Sequence, residues 1–362
     1  MKHIDVHKLA DEATFNRFHF KVLAWCLLII IIDGYDIAVA GTALPSIMQE
    51  MGVTASTAGF MASSALFGMM FGAMFLGTLS DRIGRRWTIS ICVFLFSVFT
   101  AAAGFTKDPI SFSVMRFIAG LGIGGVMPNI VAQMTEYSPK RIRSLMTTAM
   151  FSGYALGGIL AAVLGKQLIG EYGWQAVFIA AGAPVLLIPF ILKSMPESLP
   201  YLVSHKDDRH LREVAQKLAP GLVIGKADRF VVPVQDRVQG APLARLFQDG
   251  RGLSTVMFWI AFFTGLFMIY ALSSWLTKLM ALSGYSLGSA LSFVIALNLG
   301  AMLGALMAES GAADRIVNTL LRYARGSIIP WMMALVALVV GLPLFFEVGL
   351  VMMAPIIFVM AR

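Results

Sequence analysis

The stretch VLAWCLLIIIIDGYDIAVAG, residues 22–41, places two acids, Asp33 and Asp36, within an otherwise apolar run. A bilayer core about 30 Å thick needs about 20 mainly apolar residues per helix, so this run predicts a membrane span at residues 20–43. It is too long for the core of a cleaved signal peptide, and we expect it to be retained. The two acids call for a function, because a charged Asp at the bilayer centre costs about 2.5 to 3.5 kcal/mol.

The rest of the chain has the same apolar character. Of the 362 residues, 58% are hydrophobic and 13% are charged, whereas soluble domains carry about 25% charged residues. Apolar runs predict nine further spans at residues 57–79, 87–105, 111–133, 145–167, 174–192, 253–276, 287–307, 328–345 and 348–360. The sequence therefore predicts an all-α membrane protein with about ten transmembrane helices.

The basic residues predict how these helices are oriented. They do not form the continuous stripe that a nucleic-acid-binding surface needs, although the net charge is +8. They lie in short clusters after even-numbered spans, including Arg82, Arg85, Arg86, Lys140, Arg141 and Arg143. Because positively charged loops stay in the cytoplasm, we expect a cytoplasmic N-terminus.

The positions of the spans divide the chain into three parts. We expect a six-helix bundle at residues 1–192, a cytoplasmic connector at 193–251 and an incomplete second helical bundle at 252–362. Apolar residues at helical spacing within the connector predict an amphipathic helix: Leu211, Val214, Ala215 and Leu218.

The two acids of the first span should face nearly the same side of the helix and one neighbour or cavity, since three residues give about 60° of rotation. Arg116 enters the fourth span from the same membrane side, at about 8 Å depth against about 10 Å for Asp36, so the two can meet. Asp33 and Asp36 are thus candidates to carry a proton, or a structural pair with a basic partner. The residues leave open whether Arg116 serves Asp36 or a substrate carboxylate.

Two further motifs have ordered spacing. The link GTLSDRIGRR, residues 77–86, fits G-x-x-x-D-R-x-G-R-R, in which Asp81 can pair with a basic residue and Gly84 permits a tight turn. In the fourth span, Gly120 and Gly124 predict close helix packing, and Pro128 can break the ladder of helical hydrogen bonds.

With these motifs the chain resembles the major facilitator superfamily and, within it, the aromatic acid/proton symporter family. The superfamily motifs are matched by the 77–86 link and, in the fourth span, by Arg116, Gly120, Gly122 and Gly124. The narrower family is indicated by D-G-Y-D at residues 33–36, by Pro196, Glu197 and Ser198, and by GYSLGSALSFVIALNLGA at residues 284–301.

This resemblance implies two helical bundles built from inverted repeats, which rock about a central site to import a benzoate-like or hydroxybenzoate-like acid with protons. Asp33, Asp36 and Arg116 would serve proton coupling or substrate. The cytoplasmic gate would comprise Gly77, Asp81, Arg82, Gly84, Arg85 and Arg86. No cofactor beyond the coupling proton, no metal and no nucleic acid is implied. We expect a monomer in the lipid bilayer of a bacterial inner membrane.

An aromatic acid needs stacking faces and polar groups, for which the candidates are Tyr35, Tyr154, Tyr270, Trp275 and Asn298. No histidine cluster, nucleophile motif or nucleotide loop indicates an enzyme. The loop motifs are also compatible with a proton-linked carrier of another small organic acid or a sugar-like solute.

The second half departs from the family pattern. After the eighth span only Asp314 and Arg315 remain of a second loop motif, and ten spans are counted where twelve are expected. We therefore expect the resemblance to end near Met307, in a truncated or divergent chain. A remnant that does not transport is a further alternative.

Overall fold

A computed structural model describes residues 3–221, 229–231, 247 and 252–309 of the chain. Its helices are α1 (Val6–Asp11), α2 (Arg17–Met51), α3 (Ala55–Ile83), α4 (Arg85–Ala103), α5 (Pro109–Tyr137), α6 (Arg143–Tyr172), α7 (Gln175–Ala180), α8 (Ile188–Ser194), α9 (Leu199–Ser204), α10 (Asp208–Leu218), α11 (Gly252–Leu282) and α12 (Leu287–Glu309). Two short strands, β1 (His3–Asp5) and β2 (Arg229–Val231), pair in parallel with His3 opposite Arg229. This ladder is a small addition to the predicted all-α fold.

Within the described ranges, eight helical segments are long and apolar enough to cross a membrane, and they coincide with the first eight predicted spans. Several extend beyond the predicted bounds because polar side chains cap them. Asn16 caps α2 and Asp108 caps α5 by accepting backbone N–H groups of the first turn. The predicted spans at 328–345 and 348–360, and the remnant motif at 314–315, lie outside the described residues.

The sixth predicted span is not one regular helix. It consists of α7, a 3-10 turn at Ala183–Leu187 and α8. Pro184 and Pro189 lie at the starts of the last two pieces, where the missing N–H donor of proline is tolerated. The change of helix type follows from these prolines, which the apolar pattern alone does not reveal.

The helices belong to two compact units. The first comprises residues 1–233 and 276–295, and the second comprises 234–275 and 296–362. Within the first unit α3 packs on α5, α2 on α6 and α4 on α5. In the second unit the described residues are 247 and parts of α11 and α12. The expected division at residues 192 and 251 stays a prediction.

Glycines allow the closest helix crossing in the first unit. A Cβ atom built on Gly120 would collide with the backbone of Ala65, and one built on Gly124 would collide with the backbone of Met69. The predicted close packing at these two glycines is therefore confirmed, with α3 as the partner. Pro128 lies inside α5 and cannot donate a helical hydrogen bond, but the helix continues through it from Pro109 to Tyr137.

The connector contains the amphipathic helix that the sequence predicts. In α10, Leu211, Ala215 and Leu218 are buried. The side-chain amide of Asn16 donates to the carbonyl oxygens of Lys217 and Leu218, at 3.1 and 3.2 Å. Because Asn16 also caps α2, the end of the connector helix is fixed to the start of the first span.

Candidate functional site

A buried ion pair joins the first and fourth spans. Arg116 of α5 donates through Nη1 to Asp36 Oδ1 at 2.9 Å and through Nη2 to the Asp36 carbonyl oxygen at 3.1 Å. The two side chains are 3% and 2% exposed, respectively. The contact that the sequence predicted from insertion depth is confirmed.

Other groups hold the guanidinium in place. Nη1 also donates to the hydroxyl oxygen of Thr100 on α4 at 2.7 Å, and the Phe178 ring lies 5.9 Å from Arg116 Cζ. Phe178 is itself fixed by edge-to-face contacts with Phe112 and Trp174. Arg116 is therefore enclosed by three helices in addition to its own.

The ion pair is incompletely satisfied. Asp36 Oδ2 is buried and has no hydrogen-bond partner among the described residues. A buried acceptor without a donor carries a desolvation cost of about 1 to 3 kcal/mol, more for a charged group. The negative charge of Asp36 is therefore only partly compensated by hydrogen bonds.

Asp33 has a different partner from Asp36. Its side chain is completely buried, and Oδ2 accepts a hydrogen bond from the hydroxyl of Tyr154 on α6 at 2.5 Å. The expectation that the two acids meet one neighbour is therefore wrong, and the alternative that they face one cavity stays a prediction. A rotation of about 60° between them is enough to direct one acid to α5 and the other to α6.

Close backbone contact sets the position of Tyr154 against α2. A Cβ atom built on Gly34 would lie 2.7 Å from the Tyr154 carbonyl oxygen, and one built on Gly157 would lie 2.5 Å from the Tyr35 amide nitrogen. Side chains at either position would force α2 and α6 apart. The two glycines thus hold Tyr154 next to Asp33.

The other candidate substrate contacts are distributed through both units. Tyr35 is buried in the apolar core, and its hydroxyl donates to the Val177 carbonyl oxygen at 2.7 Å, so it has a packing role here. Tyr270, Trp275 and Asn298 lie on α11 and α12 in the second unit, each at intermediate exposure.

The 77–86 link ends in a capped turn. Gly84 has φ of +91°, a conformation that favours glycine, and a Cβ atom there would lie 2.6 Å from Glu197 Oε2. Glu197 Oε1 accepts the backbone N–H groups of Arg85 at 2.7 Å and Arg86 at 3.2 Å. The Glu197 carboxylate therefore caps the N-terminus of α4, where a negative charge is favourable.

A second acid ties the same link to α5. Arg85 Nη1 lies 2.5 Å from Glu136 Oε1, and Ser198 donates to Glu136 Oε2 at 3.0 Å. The hydroxyl of Tyr137 donates to the Glu197 carbonyl oxygen at 2.5 Å. One polar cluster thus joins the start of α4, the end of α5 and the segment after α8. We define this polar cluster by Arg85, Arg86, Glu136, Tyr137, Glu197 and Ser198.

Asp81 does not form the ion pair with a basic residue that the sequence suggested for it. In the part of the chain that the structure describes, its exposed side chain makes no ion pair, and neither does that of Arg82. Asp81 lies in the last turn of α3, ahead of Gly84, whereas the amides that need an acceptor follow that glycine. Sequence reasoning missed Glu136 and named Glu197 only as a residue of the family pattern, since no spacing rule connects the 77–86 link to acids so distant in the chain.

Comparison with known proteins identifies the class. The family model described as "Major Facilitator Superfamily" matches residues 26–362, and the chain belongs to this superfamily of membrane transporters. The match continues past residue 307, where we expected the resemblance to end. Relatives of this kind are transporters and not enzymes.

Two similar proteins within this superfamily are transporters of aromatic acids. The chain is 43% identical over 312 residues to a benzoate transport protein of Acinetobacter baylyi, covering 84% of this chain and 67% of the relative. It is 34% identical to the 4-hydroxybenzoate transporter PcaK of Pseudomonas putida, covering 84% and 68%.

A solved structure supports the fold alone. The partially occluded, inward-open xylose transporter XylE of E. coli aligns with a TM-score of 0.65 at 16% identity, over 92% of this chain and 86% of that one.

Proposed function

We propose that this chain imports small aromatic carboxylates, such as benzoate or a hydroxybenzoate, together with protons by alternating access. The observation that carries the proposal is the buried ion pair between Asp36 and Arg116, in a chain 43% identical to a benzoate transport protein. An organic anion and a proton together carry no net charge. A fixed buried cation with a carboxylate that can be protonated suits their joint transport.

The coupling follows from the cost of an unpaired buried charge. An arginine side chain carries a fixed positive charge. Protonation of Asp36, at the unpartnered Oδ2, leaves the guanidinium without its counterion, which costs on the order of several kcal/mol. A bound carboxylate substrate whose negative charge acts on Arg116 reduces this cost electrostatically. The proton and the substrate therefore bind cooperatively.

The geometry supports a role for Arg116 in coupling and not in direct substrate contact in this conformation. Its two Nη atoms are occupied by Asp36 and Thr100, and the Phe178 ring lies 5.9 Å from its Cζ atom. We retain Tyr270, Trp275 and Asn298 as candidate substrate contacts, because their side chains offer stacking faces or an amide at membrane depth.

We assign the polar cluster and the 77–86 link to a gate on the cytoplasmic side. An ion pair between Arg143 and Asp11 brings the N-terminal segment to the basic 140–143 loop. This arrangement supports a cytoplasmic N-terminus in a bacterial inner membrane, because both segments then lie on the positively charged side.

Uptake of labelled benzoate and 4-hydroxybenzoate by cells that express the chain tests the proposal. We expect accumulation that a protonophore abolishes and that Asp36→Asn abolishes at normal membrane levels. The matched control is Asp208→Asn, which removes an exposed acid of α10 and should transport normally. Absence of uptake, or uptake insensitive to the protonophore, would contradict the proposal.

A further inference from the structure

We propose that Tyr154 is a positioning residue for Asp33, acting through its hydroxyl group and not through its aromatic face. The inference rests on the proposed function, because it assigns Asp33 a part in proton movement. Its basis is the 2.5 Å hydrogen bond from the Tyr154 hydroxyl to Asp33 Oδ2, made to a carboxyl group with no exposed surface.

The hydrogen bond is built into the backbone packing. Tyr154 is in contact with Gly34, next to Asp33 in the chain, and Gly157 lies one helical turn after Tyr154 and packs against the Tyr35 amide. The Tyr154 hydroxyl also lies 3.1 Å from Met127 Sδ on α5. The phenol is therefore placed between α2, α5 and α6, and its position depends on backbone contacts more than on a flexible side chain.

A hydroxyl that donates to a carboxylate favours the charged form of that carboxylate. Other ionisable groups near Asp33 include Cys92 on α4 and, three residues along its own helix, Asp36, which is bound to Arg116 of α5. Tyr154 is the group from α6. Removal of its hydroxyl should consequently let Asp33 keep its proton to a higher pH.

Tyr154 and a second tyrosine, Tyr35, differ in the group that accepts the hydrogen bond of the hydroxyl. Tyr154 and Tyr35 lie on the facing helices α6 and α2, and each hydroxyl makes a hydrogen bond inside the bundle. The Tyr35 hydroxyl donates to a backbone carbonyl oxygen, which does not titrate. Tyr35→Phe is therefore a matched control that removes one buried hydroxyl without altering an acid.

The test measures benzoate uptake against external pH for the full chain and for both variants. For Tyr154→Phe we expect the midpoint of the profile to move by about one to two units to higher pH, the shift expected for losing one hydrogen bond to a charged group. For Tyr35→Phe we expect the midpoint of the parent chain. An unchanged midpoint in Tyr154→Phe, or equal shifts in both variants, would overturn the proposal.

A second readout separates this inference from the proposed function. Infrared titration of the purified protein in liposomes reports the carboxyl C=O band of Asp33, identified by its loss in Asp33→Asn. We expect this band to persist to higher pH in Tyr154→Phe than in Tyr35→Phe. If the parent chain shows no proton-dependent uptake, the proposed function fails, and the infrared midpoints still decide the role of Tyr154.

Discussion

Replacement of Arg116 by Met should destabilise the protein, and a second substitution should restore most of the loss. At 2.9 Å the Coulomb attraction of Arg116 for Asp36 is about 6 kcal/mol for an effective dielectric constant of about 20. Desolvation of both groups opposes this attraction. Removal of one partner of such a buried pair is expected to cost about 3 to 5 kcal/mol, because the remaining charge is uncompensated.

The double variant Asp36→Asn with Arg116→Met removes both charges together. We expect it to regain most of the free energy of unfolding that Arg116→Met loses, since no charge is left buried without a partner. It should nevertheless fail to accumulate substrate, because no group at this position can then bind a proton. We thus expect the double variant to be nearly as stable as the parent chain but inactive in transport.

The assay is thermal unfolding of the purified protein in detergent, with uptake measured in parallel. We expect Arg116→Met to lower the apparent midpoint by more than about 5 °C and the double variant to lie closer to the parent chain. Arg141→Met, which alters an exposed arginine of the 140–143 loop, is the control and should leave both measurements unchanged. Equal destabilisation of the single and double variants would refute the reasoning.

Three further predictions concern the gate and the helix packing. Glu197→Gln should lower the free energy of unfolding by about 0.5 to 2 kcal/mol and slow uptake, since α4 loses the charged acceptor at its N-terminus; unchanged melting would contradict the cap. Gly157→Ala should reduce uptake because its Cβ would lie 2.5 Å from a backbone nitrogen of α2, whereas Gly170→Ala, with open space around it, should be neutral in the same assay. Asp81→Asn should slow transport with little change in the calorimetric affinity for benzoate, because a gate biases conformations without touching the ligand; loss of binding would show that Asp81 is not a gate residue.

The axial positions of the site residues could be predicted from the sequence. Hydrophobic run lengths located the first eight spans, and residue counts along two helices placed Asp36 and Arg116 at similar depth. Depth depends only on the rise of about 1.5 Å per residue, so it can be worked out without knowledge of neighbouring helices. For the same reason the sequence alone could predict that these two residues can meet.

Rotation about the helix axis could not be predicted in the same way. It decides that Asp33 meets Tyr154 and that Tyr35 lies in the core against Val177, and it is set by backbone contacts at Gly34 and Gly157. The cap on α4 could not be predicted from the sequence for a related reason. Glu197 reaches α4 through tertiary packing, and an acid in a polar segment gives no local signal of such a partner.

Proton-coupled accumulation by the purified chain in liposomes tests the central claim most directly. An imposed pH gradient, acidic outside, should drive benzoate inward, and benzoate added without a gradient should carry protons into the lumen. The account predicts both fluxes for the parent chain and neither for Asp36→Asn. Benzoate accumulation by Asp36→Asn equal to that of the parent chain would contradict it.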